Sequence, residues 1–262
     1  MKIVNLEEAK KEFIKFVDSY DLTCEMIDLK KYHSLRVMEI STQIAKEENF
    51  TEEEIEVSTL IGLLHDIARF KQYTEYKTFK DIDSFDHGNV GVEILEQHNF
   101  LRKFIKTDKY DEIIKLAIKN HNKFAIEKGL TEEQNKFCKL IRDADKIDIL
   151  FIATGILWKH EREQMENSIL NPNIKENLNN EQLIKQSKYK KIQYADSIIK
   201  MFGYMFDVNY KSSFKIIKNE QYIDKIANRF KFKDEYTQKE ILDAGEQIKQ
   251  YIAKKIEEEK EV

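Results

Sequence analysis

The sequence is poor in residues that break or staple a chain: its 262 residues include 1 proline, 7 glycines, 2 cysteines and 1 tryptophan. So little proline and glycine excludes collagen-like and Pro/Gly-rich disordered architectures, while 41% apolar residues supply enough hydrocarbon for a buried core. Cys24 and Cys138 lie far apart with no CxxC spacing, which excludes a disulfide framework and a zinc ribbon and leaves two reduced thiols as core fillers. Positive charge is not in excess: 44 Lys+Arg against 48 Asp+Glu give a formal charge of −4, so no overall basic field exists to hold nucleic acid or an anionic membrane. Long apolar runs are also missing. The most apolar stretch, residues 149–158, is about half of the roughly 20 residues that a membrane-spanning helix requires. The amino terminus reaches Glu7 and Glu8 before any apolar segment long enough for a secretion signal, so a cytoplasmic location is expected.

What the sequence does have is helical periodicity. Apolar residues recur at three- and four-residue spacing and strict alternation is rare, which predicts an all-α fold. Asn5 with Glu8, Thr51 with Glu54 and Thr131 with Gln134 each pair a cap residue with Glu or Gln three positions later and mark helix starts. The spacing predicts helices at 6–19, 29–47, 52–68, 87–98, 109–122, 132–153, 155–168, 181–200, 211–229 and 234–258. Residues 70–85 carry aromatic and polar side chains without clear period and read as a loop, either a lid or a segment anchored by its aromatics. Pro172 and six asparagines mark a break at 167–180. The expected organisation is an N-terminal helical segment (1–29) packed on a core at 30–150, with a helical extension (151–262) belonging to the same compact unit.

The chemistry lies in the histidines and their neighbours. His65-Asp66 ends the apolar run Leu60-Ile61-Gly62-Leu63-Leu64, and Asp143-Ala144-Asp145-Lys146 interrupts an apolar helix. Two carboxylates and a lysine among Leu140, Ile141, Ile147 and Leu150 are costly to bury unless ionised partners or a cation meet them. Adjacent helix residues diverge by about 100°, so His65 and Asp66 share an ion only if other helices complete the shell. His33 and Asp145, each bracketed by apolar positions, are the natural suppliers.

The order His33, His65-Asp66, His87, His121, Asp145 resembles the HD-domain superfamily of metal-dependent phosphohydrolases over residues 30–150. Gly62 to Arg69 (GLLHDIAR) is similar to the family's doublet with its trailing basic residue, Ala144-Asp145-Lys146 to its final-aspartate motif, and His33 to Val37 to its first-histidine helix. The resemblance implies a metal held by His33, His65, Asp66 and Asp145. In one subgroup two further histidines hold a second cation with the doublet aspartate bridging, for which His87 and His121 are the candidates. The alternative reading makes His87 a helix-start residue and His121 a helix-terminal one favoured by the dipole. The Gly-Tyr-Pro signature of the cyclic-dinucleotide group is absent.

Histidine and carboxylate ligands without thiolate suit one or two divalent ions of Mn, Fe, Co, Ni or Zn. Such an ion lowers the pKa of bound water from 15.7 to about 7 and so generates hydroxide for phosphoester or phosphoanhydride hydrolysis. The expected substrate is a nucleotide or other small phosphorylated compound. Asp66, Arg69 and Lys146 are the candidate catalytic residues. Arg36, Arg69 and Lys146 are candidates to surround the phosphates, although Arg69 and Lys146 also fit as snorkelling side chains. Asp86 and Asp143 are placed to orient a histidine or a bound water. Two other classes share the residues: a di-iron oxygenase on the same fold, and a non-catalytic nucleotide-binding module. His98 and His160 read as surface residues. Lys185, Lys188, Lys190 and Lys191 read as a solvated helix face rather than a nucleic-acid contact.

Overall fold

The computed structural model describes residues 2–184 and 192–258, and among them every regular element is helical. The chain divides into two compact units, Met1–Asp145 and Lys146–Val262.

In the first unit, α1 (Leu6–Val17) starts behind Asn5, whose side chain accepts the Glu8 N–H. After α2 (Glu25–Glu47), Thr51 and Glu54 close a reciprocal capping box that opens α3 (Glu52–Leu64). Two orphan N–H groups are thereby satisfied at the point where the apolar run begins. The segment expected as a loop from residue 70 begins instead as α4 (Ala68–Tyr76), which buries Phe70 and Gln72 and ends where Lys77 turns left-handed at φ 53°. Tertiary burial stabilises this helix where its own periodicity is weak. A short 3-10 turn, Asp81–Asp83, leads to α5 (His87–Glu96), capped by Asp86, then α6 (Asp111–Asn120) and α7 (Glu132–Gly155), whose residues up to Asp145 belong to this unit. Thr131 and Gln134 exchange hydrogen bonds at the start of α7, as their spacing predicts.

α2 packs closely on α3. A Cβ on Gly62 would stand 2.6 Å from Ser41 Oγ and 2.9 Å from both Met38 Cα and the Val37 carbonyl oxygen, so only glycine lets the two backbones approach this far. Val37, Ile44, Leu60, Ile61 and Leu64 are buried in this unit, each contributing roughly 1.5–3 kcal/mol of apolar burial. α1 packs on α3, and Phe13 and Phe16 meet Phe70 edge-on at 5.9 and 6.2 Å.

The second unit continues with α8 (Arg162–Glu166), α9 (Glu176–Asn179), α10 (Tyr194–Phe202), α11 (Lys211–Asn219), α12 (Tyr222–Ala227) and α13 (Glu235–Glu257). The helix expected at 155–168 shrinks to α8 because Trp158 adopts φ 58°, and that expected at 211–229 splits where Gln221 adopts φ 54°. Left-handed backbone cannot continue a right-handed helix. α13 packs against α10, α11 and α12. The helix expected at 181–200 is observed as α10, and the four lysines at 185, 188, 190 and 191 lie outside the described residues. No helix among the described residues is long and apolar enough to cross a membrane.

Candidate metal centre

Five helices bring His33, His65, Asp66, His87, His121 and Asp145 together within the first unit. His33 lies in α2, His65 and Asp66 follow the last turn of α3, His87 opens α5, His121 ends α6 and Asp145 lies in α7. His33 Nε2 stands 3.1 Å from His65 Nε2, 3.3 Å from Asp66 Oδ2 and 3.2 Å from Asp145 Oδ1. The other Asp66 oxygen, Oδ1, is 3.4 Å from His87 Nε2 and 3.4 Å from His121 Nε2, and these two nitrogens are 3.0 Å apart. One carboxylate thus faces two histidine pairs, one with each oxygen.

The proton positions are constrained by what lies behind the rings. His65 Nδ1–H donates to the Gly62 carbonyl at 2.9 Å, and His121 Nδ1–H to the Ile118 carbonyl at 2.6 Å. His87 Nδ1–H donates to the Asp81 carboxylate at 2.7 Å. A carbonyl or carboxylate oxygen only accepts, so in each neutral ring Nε2 carries the lone pair and points inward. Burial favours the neutral form of His65 and His87: it lowers the His65 pKa and takes that of His87 down to about 4, against the opposing pull of Asp66 and Asp81 respectively. Lone pairs of His87 and His121 therefore face each other and Asp66 Oδ1 with no proton between them. Such an arrangement of acceptors fits a cation. The spacing agrees, since donors about 2.1 Å from a divalent ion stand roughly 3.0–3.4 Å apart at octahedral to tetrahedral angles.

The family model described as HD domain matches residues 31–150. Residues 31–150 thus form an HD domain. No curated protein and no solved structure matches the chain. HD domains are generally metal-dependent phosphohydrolases that bind divalent metals, and the buried His/Asp group of this one can hold a metal.

Around the centre of the HD domain, two cations meet Asp66. Lys30 Nζ donates to Oδ2 at 2.6 Å and Arg69 Nε to Oδ1 at 3.3 Å, with the Phe79 ring against both. Burial alone raises the Asp66 pKa, but the charges of Lys30 and Arg69 outweigh it and hold the carboxyl well below the ordinary range. Asp145 behaves likewise: burial raises its pKa, and the hydrogen bond from His33 brings it well below that range. Both acids are anions at neutral pH.

The remaining expected site residues are distributed differently. Arg36 is half-buried one turn after His33 on α2. Asp143 is fully buried, but two residues along α7 place it about 200° around the helix from Asp145. Lys146 is ion-paired with Asp207 at 2.6 Å. Asp86, expected to orient a histidine or a bound water, caps α5 through the Asn89 N–H and binds Asn122 and Lys123. The carboxylate on the His87 ring is Asp81, which the sequence reading missed. His160 is exposed.

Lys30 and Arg142 were also missed, although both carried a signal, since each precedes a candidate ligand by three residues on the same helix. Arg142, 3% exposed, donates to the carbonyls of Asn120, His121 and Lys123 at 2.9, 3.3 and 2.6 Å and so anchors the α6 terminus that carries His121. A buried cation here also complements the negative end of the helix dipole.

Proposed function

We propose that this HD domain is a metal-dependent phosphohydrolase acting on a nucleotide or other small phosphorylated compound. In this reading His33, His65, Asp66 and Asp145 hold one divalent ion of Mn, Fe, Co, Ni or Zn, and Asp66, His87 and His121 hold a second. The observation that supports it is the convergence of inward lone pairs and anionic oxygens on both sides of Asp66.

Divalent ions held there supply Lewis-acid polarisation of phosphoryl oxygens and acidification of water. The chain's own residues do the rest. Lys30 and Arg69 keep Asp66 ionised, so that both of its oxygens remain acceptors, and they place positive charge beside the centre where a phosphate would dock. Asp81 and the carbonyls of Gly62 and Ile118 hold the protons of three rings on Nδ1, away from the centre. Arg36, on the His33 helix, is a further phosphate contact in this reading.

Elemental analysis of the purified protein, followed by a screen of nucleotides and phosphorylated metabolites with Mn, Ni, Co, Fe and Zn, tests the reading. The expected result is bound metal and release of phosphate or a nucleotide product, both abolished by Asp66→Ala. Full metal content and full hydrolysis in Asp66→Ala overturn it. Iron loading with oxygen consumption would assign the oxygenase class, and tight binding of an intact nucleotide without turnover would assign a binding module.

A further inference from the structure

We infer that Asp81 is the positioning residue of the His87/His121 side of the centre, setting its affinity for a divalent cation by fixing the His87 ring. The inference rests on the metal-binding reading above and adds a residue outside the ligand set.

The turn that carries Asp81 has no hydrophobic reason to be where it is. Residues Asp81–Asp83 form a single 3-10 turn in which no residue is buried, and its central residue, Ile82, is 93% exposed. The anchor is polar. The Asp81 carboxylate accepts from Arg69 Nη1 at 3.2 Å, Gln72 Nε2 at 2.9 Å, His87 Nδ1 at 2.7 Å and Asn122 Nδ2 at 3.0 Å. These donors come from α4, from the start of α5 and from just beyond α6, so one side chain ties together the three elements around the second histidine pair.

The chemistry of each bond points the same way. An acceptor-only carboxylate on Nδ1 requires the proton there and leaves Nε2 free to ligate, and its negative charge raises the basicity of that nitrogen. Arg69 links Asp81 to Asp66, because its Nε holds Asp66 Oδ1, the oxygen facing His87 and His121. Asn122 donates to Asp81 and to the α5 cap Asp86, joining the segment after His121 to the helix that His87 opens. Asp81 meets the His87/His121 side directly, through the His87 ring and Asn122, so the consequence of losing Asp81 is expected to be greatest on that side.

The test compares wild type with Asp81→Ala, Asp81→Asn and the control Asp83→Ala, whose side chain is on the same turn and 56% exposed. Mn(II) titration followed by calorimetry and by the magnetic-resonance signal of coupled manganese pairs reads the two sides separately. Asp81→Ala is expected to weaken one of two ions by about 10–100-fold and replace the coupled-pair signal by that of single manganese. Asp81→Asn, which keeps the shape and an accepting oxygen, should restore part of the loss, and Asp83→Ala should match wild type. In metal-free protein, ¹⁵N spectra of the imidazoles should show His87 as the Nδ1–H tautomer in wild type, with Nε2–H appearing in Asp81→Ala. Two ions bound by Asp81→Ala with wild-type affinity, or a wild-type His87 protonated on Nε2, overturns the inference. A wild type that binds no metal but keeps the Nδ1–H tautomer, lost in Asp81→Ala, overturns the metal-binding reading and the affinity role together while leaving Asp81 as the residue that positions the ring.

Discussion

The two sides of the centre present nearly the same ligands yet are held by different means. The His33/His65 side rests on helix packing: α2 and α3 approach so closely that Gly62 has no space for a methyl group, and its nearest obstacles include backbone atoms of Met38 and Val37. The His87/His121 side rests on hydrogen bonds made at helix ends. Asp81 holds one ring, Arg142 holds the carbonyls beneath the other, and Asn122 joins them. Packing fixes His33 inside α2 and the last turn of α3 that leads into His65, whereas His87 and His121 stand at ends whose positions are set by side-chain partners of the exposed backbone and ring groups. A rigid side and a tethered side share one carboxylate.

Substitutions can break this comparison, and the largest effect should come at the shared residue. Asp66→Ala should abolish metal binding on both sides at once and destabilise metal-free protein by about 3 kcal/mol, because Lys30 and Arg69 lose the anion they surround. Metal analysis and denaturant unfolding check both effects, and retention of one ion would show the sides to be independent. Gly62→Ala should cost about 2–3 kcal/mol, since the added methyl meets backbone that cannot move aside. Arg142→Ala should cost about 2 kcal/mol, leaving buried carbonyls unsatisfied, and should weaken metal binding on the His121 side more than on the His33 side.

The pH dependence sharpens the comparison further. The His87 pKa falls from its ordinary value to about 4, so between roughly pH 6.5 and 4 the unfolded chain binds a proton that the folded one refuses. Metal-free protein should therefore hold this contribution fully above about pH 6.5 and lose it as pH falls toward 4. Unfolding curves across that window check the sign, and His87→Gln should flatten the slope. The smallest effect is expected for Gly88→Ala, about 1 kcal/mol: a Cβ there comes within 2.6 Å of Asn122 Oδ1, a side-chain atom that can shift, although the Lys119 and Ile118 carbonyls stand only 3.0 and 3.1 Å away. A cost equal to that of Gly62→Ala would show that the tethered side is as rigid as the packed one.

The legibility of the site followed the same division. His33, His65, Asp66 and Asp145 were readable because each interrupts an apolar face, and a polar group there demands a partner. His87 and His121 stood at predicted helix ends, where a bland role explained them equally well. Asp81 was not readable at all, because it lies six residues before His87 in a stretch without period, while another carboxylate, Asp86, stands directly beside that histidine in the sequence. Where α4 replaced the expected loop, burial of Phe70 and Gln72 outweighed a weak local pattern.

Helix class, the capped starts at Asn5, Thr51 and Thr131, and the supply of imidazole and carboxylate groups were properties of the sequence alone, since periodicity and capping act over three or four residues. Tertiary structure alone decided which oxygen of Asp66 faces which histidine pair, which carboxylate seats on His87, and that Lys146 pairs with Asp207. Those choices depend on distances between groups that chain order does not constrain, and an ångström of difference separates a bond from none.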